Sequence, residues 1–146
     1  MTAAGGPAWR QTIFHPFAQA SANGRGTVLQ AVVKSPVYDA KSRQAVPWLK
    51  VAAVRQADGG LVLFCLNRSL DQSLAVTLDA RALGNLRVTA WSELRHDNLK
   101  SANTQAAPAT VRPHARPVPA AGAKAGKAGI ELKLRPASWN VIRLGA

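Results

Sequence analysis

The stretch "WLKVAAVRQADGGLVLFCLNRS" constrains the fold more than any other part of the chain. Two apolar runs flank Asp58-Gly59-Gly60. Glycine reaches the positive φ angles that a tight hairpin needs, and aspartate tolerates turn geometry. The pattern therefore predicts two antiparallel strands joined at that turn. "SLAVTLDA" and "LRVTAWSEL" follow at similar spacing. In the first, Leu74, Val76 and Leu78 alternate with Ala75, Thr77 and Asp79, which gives one apolar face and one small or polar face. "IELKLRP" repeats the device, with Ile130, Leu132 and Leu134 opposed to Glu131, Lys133 and Arg135. "SWNVIRL" supplies a last strand. Upstream, "TVLQAVVKS" reads as a strand that "SPVYD" ends. Before it, "HPFAQASANGRG" reads as a short helix: Pro16 suits a first turn, and Gly24 and Gly26 would stop it. Short strands at regular spacing argue for a mainly β chain, an antiparallel, jelly-roll-like β-sandwich preceded by one short helix.

At 146 residues the chain has one domain's worth of length, and 47% of it is apolar, so a packed core rather than disorder is expected. The composition changes between Ser101 and Gly129, where Ala, Pro, Gly and Lys dominate. A flexible loop is expected near residues 104–129, most mobile over Ala120–Gly129, which offers little to bury. A net charge of +12 raises polyanions as partners. The basic residues are spread along the chain, so weak contacts without sequence preference are expected, and neither a specific nucleic acid nor a membrane. Cys65 is the single cysteine, so no internal disulfide can form, and within "LVLFCLN" it reads as a small core residue. No run reaches transmembrane length and no signal peptide is visible at the N-terminus, which together point to the cytoplasm.

Chemistry-bearing clusters are sparse. His15, His96 and His114 lie far apart, so no metal site is expected and no cofactor is called for. His96-Asp97 and a paper triad of Ser92, His96 and Asp97 lack the nucleophile-elbow glycines. "GGLVLF" and "GRGTVL" lead into strands, whereas a phosphate-cradling loop leads into a helix. None of the seven carboxylates forms an evident catalytic pair. The four tryptophans, Trp9, Trp48, Trp91 and Trp139, read as core or interface anchors, with Trp139 in the core.

The run "MTAAGGPAWRQTIFHPFAQASANGRGTVLQAVVKSPVYDAK" resembles the α-L-arabinofuranosidases of glycoside hydrolase family fifty-one, as do "VPWLKVAAV", "LFCLNRSL", "ELRHDNLKSANT", "RPHARPV" and "LRPASWNVIRL". These segments occur in the family's order and cover essentially the whole chain. The resemblance implies the C-terminal part of a retaining enzyme built from a TIM barrel and a β-sandwich, the sandwich also using the extreme N-terminal segment of the parent. Residues 1–26 would be the end of the catalytic barrel. Met1-Thr2 would close its last strand, "GGPAWRQT" would be the following loop and "HPFAQAS" the last helix. Residues 27–146 would be the C-terminal sandwich. The resemblance places the two catalytic glutamates on earlier barrel strands, so no catalytic residue is expected here, and neither Glu93 nor Glu131 matches those motifs. Gln11 matches the glutamine that reaches the arabinose pocket, and Trp9 and Arg10 match the same loop. His15 stands where the family has tyrosine. The implied partners are arabinofuranosyl oligosaccharides and the missing barrel, within a homo-oligomeric parent. The competing reading is a free-standing carbohydrate- or nucleic-acid-binding sandwich module. Such a module would be expected to open on its own first strand rather than on a loop and a helix.

Overall fold

The computed structural model describes residues 4–118 and 129–146. Helix α1 (Phe14–Asn23) precedes ten strands: β1 (Thr27–Leu29), β2 (Val37–Ala40), β3 (Arg43–Pro47), β4 (Leu49–Arg55), β5 (Leu61–Asn67), β6 (Leu74–Leu78), β7 (Arg87–Leu94), β8 (His114–Ala115), β9 (Ile130–Leu134) and β10 (Ser138–Gly145). Six of them form one antiparallel sheet in the order β1-β4-β5-β10-β7-β8. The remaining four make two antiparallel ribbons, β6–β9 and β2–β3. The chain is mainly β with one short helix, as the sequence implies.

The β4–β5 hairpin turns where Asp58-Gly59-Gly60 stands. Gly59 has φ +83°, Gln56 N–H donates to the Gly60 carbonyl (2.8 Å), and the Asp58 carboxylate accepts from Gly60 N–H (2.9 Å). Strand β5 is buried at six of its seven positions because the sheet is covered on both sides. On one side Leu61, Leu63 and Cys65 pack with Leu49, Trp91, Ile142 and Leu144 against the apolar face of the β6–β9 ribbon. Leu134 and Ile142 are wholly enclosed there. Each such side chain contributes about 1.5–3 kcal/mol of transfer free energy. On the other side Val62, Phe64, Val54 and Val141 make a smaller cluster. Trp139 belongs to this second cluster and not to the main core: it stacks on Phe64 at 5.9 Å between ring centroids.

A β-bulge serves the main core. In the pairing of β10 with β7, Arg143 faces Ala90 and Leu144 faces Val88, so Thr89 is the extra residue. Strict alternation would put Val88 and Trp91 on opposite faces; the bulge lets both join the main cluster. Asn67, at the end of β5, ties the two layers. Its side-chain amide donates to the carbonyls of Gln72 and Arg135 (both 2.9 Å), and its oxygen accepts from Ser69 N–H (3.0 Å).

Two expectations need correction. "TVLQAVVKS" supplies only the three-residue β1; residues 30–34 leave the sheet, and Val32 is 91% exposed. β-Branched residues raise strand propensity but cannot make a strand without a ladder partner. "SPVYD" does not end a strand: Val37–Ala40 pairs with Arg43–Pro47, and the Asp39 carboxylate accepts from Ala45 N–H (2.8 Å) across the turn. Nearly all of that hairpin is exposed, so it carries no apolar alternation to read. Residues 30–34 run past a cleft of about 470 Å³ between the sheet and the β6–β9 ribbon, lined by Leu29, Val33, Val51, Leu63, Val76 and Leu83 among others.

Of the loop expected over residues 104–129, residues 104–118 and Gly129 are described. His114–Ala115 pairs with β7, Arg116 N–H donates to the Trp91 carbonyl (2.9 Å), and Val111 is buried. The mobility expected over Ala120–Gly129 falls, apart from Gly129, outside the described residues, as does the placement of Met1-Thr2.

Candidate functional site

Helix α1 starts without a side-chain cap. Ile13 occupies the cap position and has no polar atom to offer the exposed N–H groups. Two backbone bonds begin the helix instead: Phe14 N–H to the Gln11 carbonyl (3.0 Å) and His15 N–H to the Thr12 carbonyl (3.3 Å). Pro16 follows in the first turn, where its missing N–H leaves no bond unmade. At the other end Gly24 N–H bonds the Ala20 carbonyl (2.7 Å). None of the ten helical residues is fully buried. Gln19 fastens the helix to the sheet: its amide donates to Ser92 Oγ (2.8 Å) and its oxygen accepts from Trp139 Nε1 (2.9 Å).

The loop before the helix carries Trp9, Arg10 and Gln11. The Arg10 guanidinium lies over the Phe14 ring, 4.9 Å from its centroid. Trp9 is half-buried, and its Nε1 has no hydrogen-bond partner among the described residues; His15 Nε2 is in the same position. Gln11 is exposed. Exposed apolar side chains continue the surface: Ile13 is 63% and Phe17 71% exposed. The loop is gripped from 91 and 93 residues away by Asn103. Asn103 N–H donates to Thr12 Oγ1 (3.1 Å), and its side-chain amide donates to the Arg10 carbonyl (3.1 Å). Asn103 is in turn locked to Val111, accepting from its N–H (2.7 Å) and donating to its carbonyl (2.9 Å).

The carboxylates do not assemble into a hydrolytic pair. Glu93, on β7, is wholly buried and bonded to cations: Arg135 Nε donates to it (2.8 Å) and Arg135 Nη2 makes a second, shorter contact. His114 Nε2 lies at 3.1 Å and Arg116 Nη1 at 3.4 Å. Arg116 also lies over Trp91, 5.1 Å from the ring centroid. Burial alone would raise the Glu93 carboxyl; the bond and charge of Arg135, the charge of Arg116 and the His114 contact outweigh it and hold it below the usual range. Glu131, on β9, is exposed and accepts from Thr77 Oγ1 across the ribbon (2.7 Å). The two glutamates thus stand on different sheets, each in a structural bond.

The other pairings weighed from sequence are also apart. Ser92 Oγ is held by Gln19, the His96 ring accepts from Asn98 N–H (3.1 Å) in a turn, and Asp97 pairs with Arg95 (2.5 Å). Among the described residues, no three His, Cys, Asp or Glu side chains are grouped so as to hold a metal ion. Burial pushes the Cys65 thiol up to about 12, which leaves it a packing residue at neutral pH. Sequence reasoning singles out Gln11, Trp9 and Arg10 but misses Asn103, Gln19 and the Glu93 cluster. Nothing in "KSANTQ" separates a buried amide from an ordinary turn asparagine.

Residues 1–138 match the family described as the α-L-arabinofuranosidase C-terminal domain. The chain is 40% identical over 147 residues to an intracellular exo-α-(1→5)-L-arabinofuranosidase of Halalkalibacterium halodurans, covering 99% of this chain and 28% of that protein. It is 39% identical over 143 residues to the enzyme of that name from Streptomyces lividans, covering 98% of this chain and 21% of that protein. Among solved structures, a family 51 α-L-arabinofuranosidase from Bifidobacterium longum superposes with a TM-score of 0.84 at 25% identity, over 97% of this chain and 26% of that one. The chain therefore spans only about a quarter of the length of the proteins it matches.

Proposed function

The chain belongs to the α-L-arabinofuranosidase C-terminal domain family, and from that premise we propose that it serves as the C-terminal part of such an enzyme. In this reading residues 1–26 end the catalytic barrel and residues 27–146 form the sandwich that supports it. Gln11 hydrogen-bonds the arabinofuranosyl group, with Trp9 and Arg10 lining or bracing the pocket. The catalytic carboxylates come from the rest of the enzyme. Substrates are arabinofuranosyl oligosaccharides, the compartment is the cytoplasm, and the parent assembles as a homo-oligomer.

The observation that carries the reading is the N-terminal loop and helix. They are fastened to the sandwich by a few bonds, yet present Ile13, Phe17 and the Gln11 amide outward. Exposed apolar groups beside a polar side chain suit a face that packs on another body. The unpartnered Trp9 Nε1 and His15 Nε2 support the same view, since a buried polar atom left unpaired costs about 1–3 kcal/mol. The cleft beside residues 30–34 is where a further segment of the parent would complete the sandwich.

Retaining hydrolysis needs two carboxyl groups about 5–5.5 Å apart across one sugar. Gln11 offers hydrogen bonds, but an amide neither forms the glycosyl ester nor donates the proton at neutral pH. The isolated chain is therefore expected to be inert toward a nitrophenyl α-L-arabinofuranoside. A chimera, in which this chain replaces the matching 28% of the H. halodurans enzyme, is expected to release nitrophenol. Turnover by the purified chain alone, abolished by Glu93→Gln or Glu131→Gln, would overturn the assignment. A well-folded chimera without activity would also count against it.

A further inference from the structure

We propose that Asn103 is the positioning residue for the Trp9–Gln11 loop, so that the sandwich sets the geometry of the sugar contact instead of only supporting the barrel. The proposal rests on the reading above that this loop meets the substrate. Its own warrant is geometric. Asn103 is 6% exposed and uses both amide hydrogens, one on the Val111 carbonyl and one on the Arg10 carbonyl. A side-chain amide has only two such donors, so both are committed. Its oxygen is held by Val111 N–H, and its backbone N–H is given to Thr12 Oγ1. The bonds therefore close on both sides of Gln11, through Arg10 before it and Thr12 after it, while Gln11 itself stays exposed.

Val111 is the fixed end of this clasp. It is 5% exposed and lies three residues before His114, which pairs with Glu93 on β7. The path from the sheet to the loop thus runs through β8, Val111 and Asn103. No other long-range side-chain bond reaches residues 9–12 among the described residues. The helix that follows has no side-chain cap, and its first two bonds, to the Gln11 and Thr12 carbonyls, tie the loop to α1 and not directly to the sheet. Displacing a binding group by about 1 Å can cost about a hundredfold in rate.

The isosteric Asn103→Asp keeps the acceptor for Val111 N–H and loses both amide donors, the one to the Arg10 carbonyl and the one to the Val111 carbonyl. In the chimera described above, Asn103→Asp, Asn103→Ala and Gln11→Ala are each expected to lower kcat/KM about ten- to a hundredfold. The losses should not multiply: the double variant of Gln11→Ala with Asn103→Ala should fall within about twofold of Gln11→Ala alone. Multiplying losses, or an Asn103→Asp variant with unchanged kinetics, would overturn the proposal.

An inactive chimera would tell against the sugar reading, and the clasp is then decided on the chain itself. In the chain, backbone order parameters over residues 9–12 should drop below about 0.6 in Asn103→Asp while β5 and β10 stay near 0.85. If Asn103→Ala fails to fold, Thr12→Val removes one bond of the clasp and should loosen the same four residues. Unchanged order parameters in both Asn103→Asp and Thr12→Val would overturn the clasp.

Discussion

Glu93 shows how much a single residue decides. Its carboxylate is wholly buried, and three side chains from β8, the segment after it and the β9–β10 turn converge on it. Because its carboxyl is held below the usual range, its contribution to stability is full above the unfolded value of about 4.3 and is lost as the pH falls through the lower folded value. Glu93→Gln should therefore cost about 2–3 kcal/mol at neutral pH. That is less than a fully buried pair, because the Arg135 side chain is 39% exposed. The cost should shrink as the pH drops, since a protonated glutamate resembles glutamine. Urea unfolding of both forms between pH 7 and pH 3 checks this, and a pH-independent difference would sink it. Nothing in "WSEL" announces the role: a lone glutamate within an apolar strand reads as an irregularity until its partners, 21 to 42 positions away, are in place.

Among the elements, legibility follows burial and alternation. The β4–β5 hairpin, β6, β7, β9 and β10 are all visible in the sequence because each carries an apolar face or a glycine turn. The β2–β3 hairpin and the two-residue β8 are not, since both are exposed and their pairing is decided by the ladder alone. The candidate loop is legible only through the "WRQT" motif; its clasp is tertiary. The junction between α1 and β1 is legible in part, as a glycine pair that stops a helix, but the reason for the second glycine is not. Gly26 has φ +140°, and a Cβ there would lie 2.2 Å from the Arg55 carbonyl oxygen. Gly26→Ala should therefore detach the edge strand β1 at a local cost of about 1–3 kcal/mol. Amide exchange in Val28 and Leu29 should speed up markedly while β5 stays protected. Uniform acceleration across the sheet would show instead that β1 is integral to global stability.

The whole molecule carries 19 basic and seven acidic residues, which bears on its behaviour in solution more than on its fold. Binding to two unrelated DNA duplexes should be weak, should differ by less than about threefold between them, and should fall at least about tenfold between 50 and 200 mM salt. A strong preference for one duplex would favour a nucleic-acid module over an enzyme part. The sheet order has a different consequence, one of timing. Strand β10 lies between β5 and β7 and pairs with both along nearly its whole length. The strand that joins the two halves is thus translated after both. Until Ser138–Gly145 has been made, β5 and β7 present open edges, and no arrangement of the earlier residues completes the sheet. Folding must therefore wait for the end of this segment, pass through contacts far apart in sequence and proceed slowly for a chain of this size. During synthesis that interval is when a nascent chain of this kind most needs a chaperone.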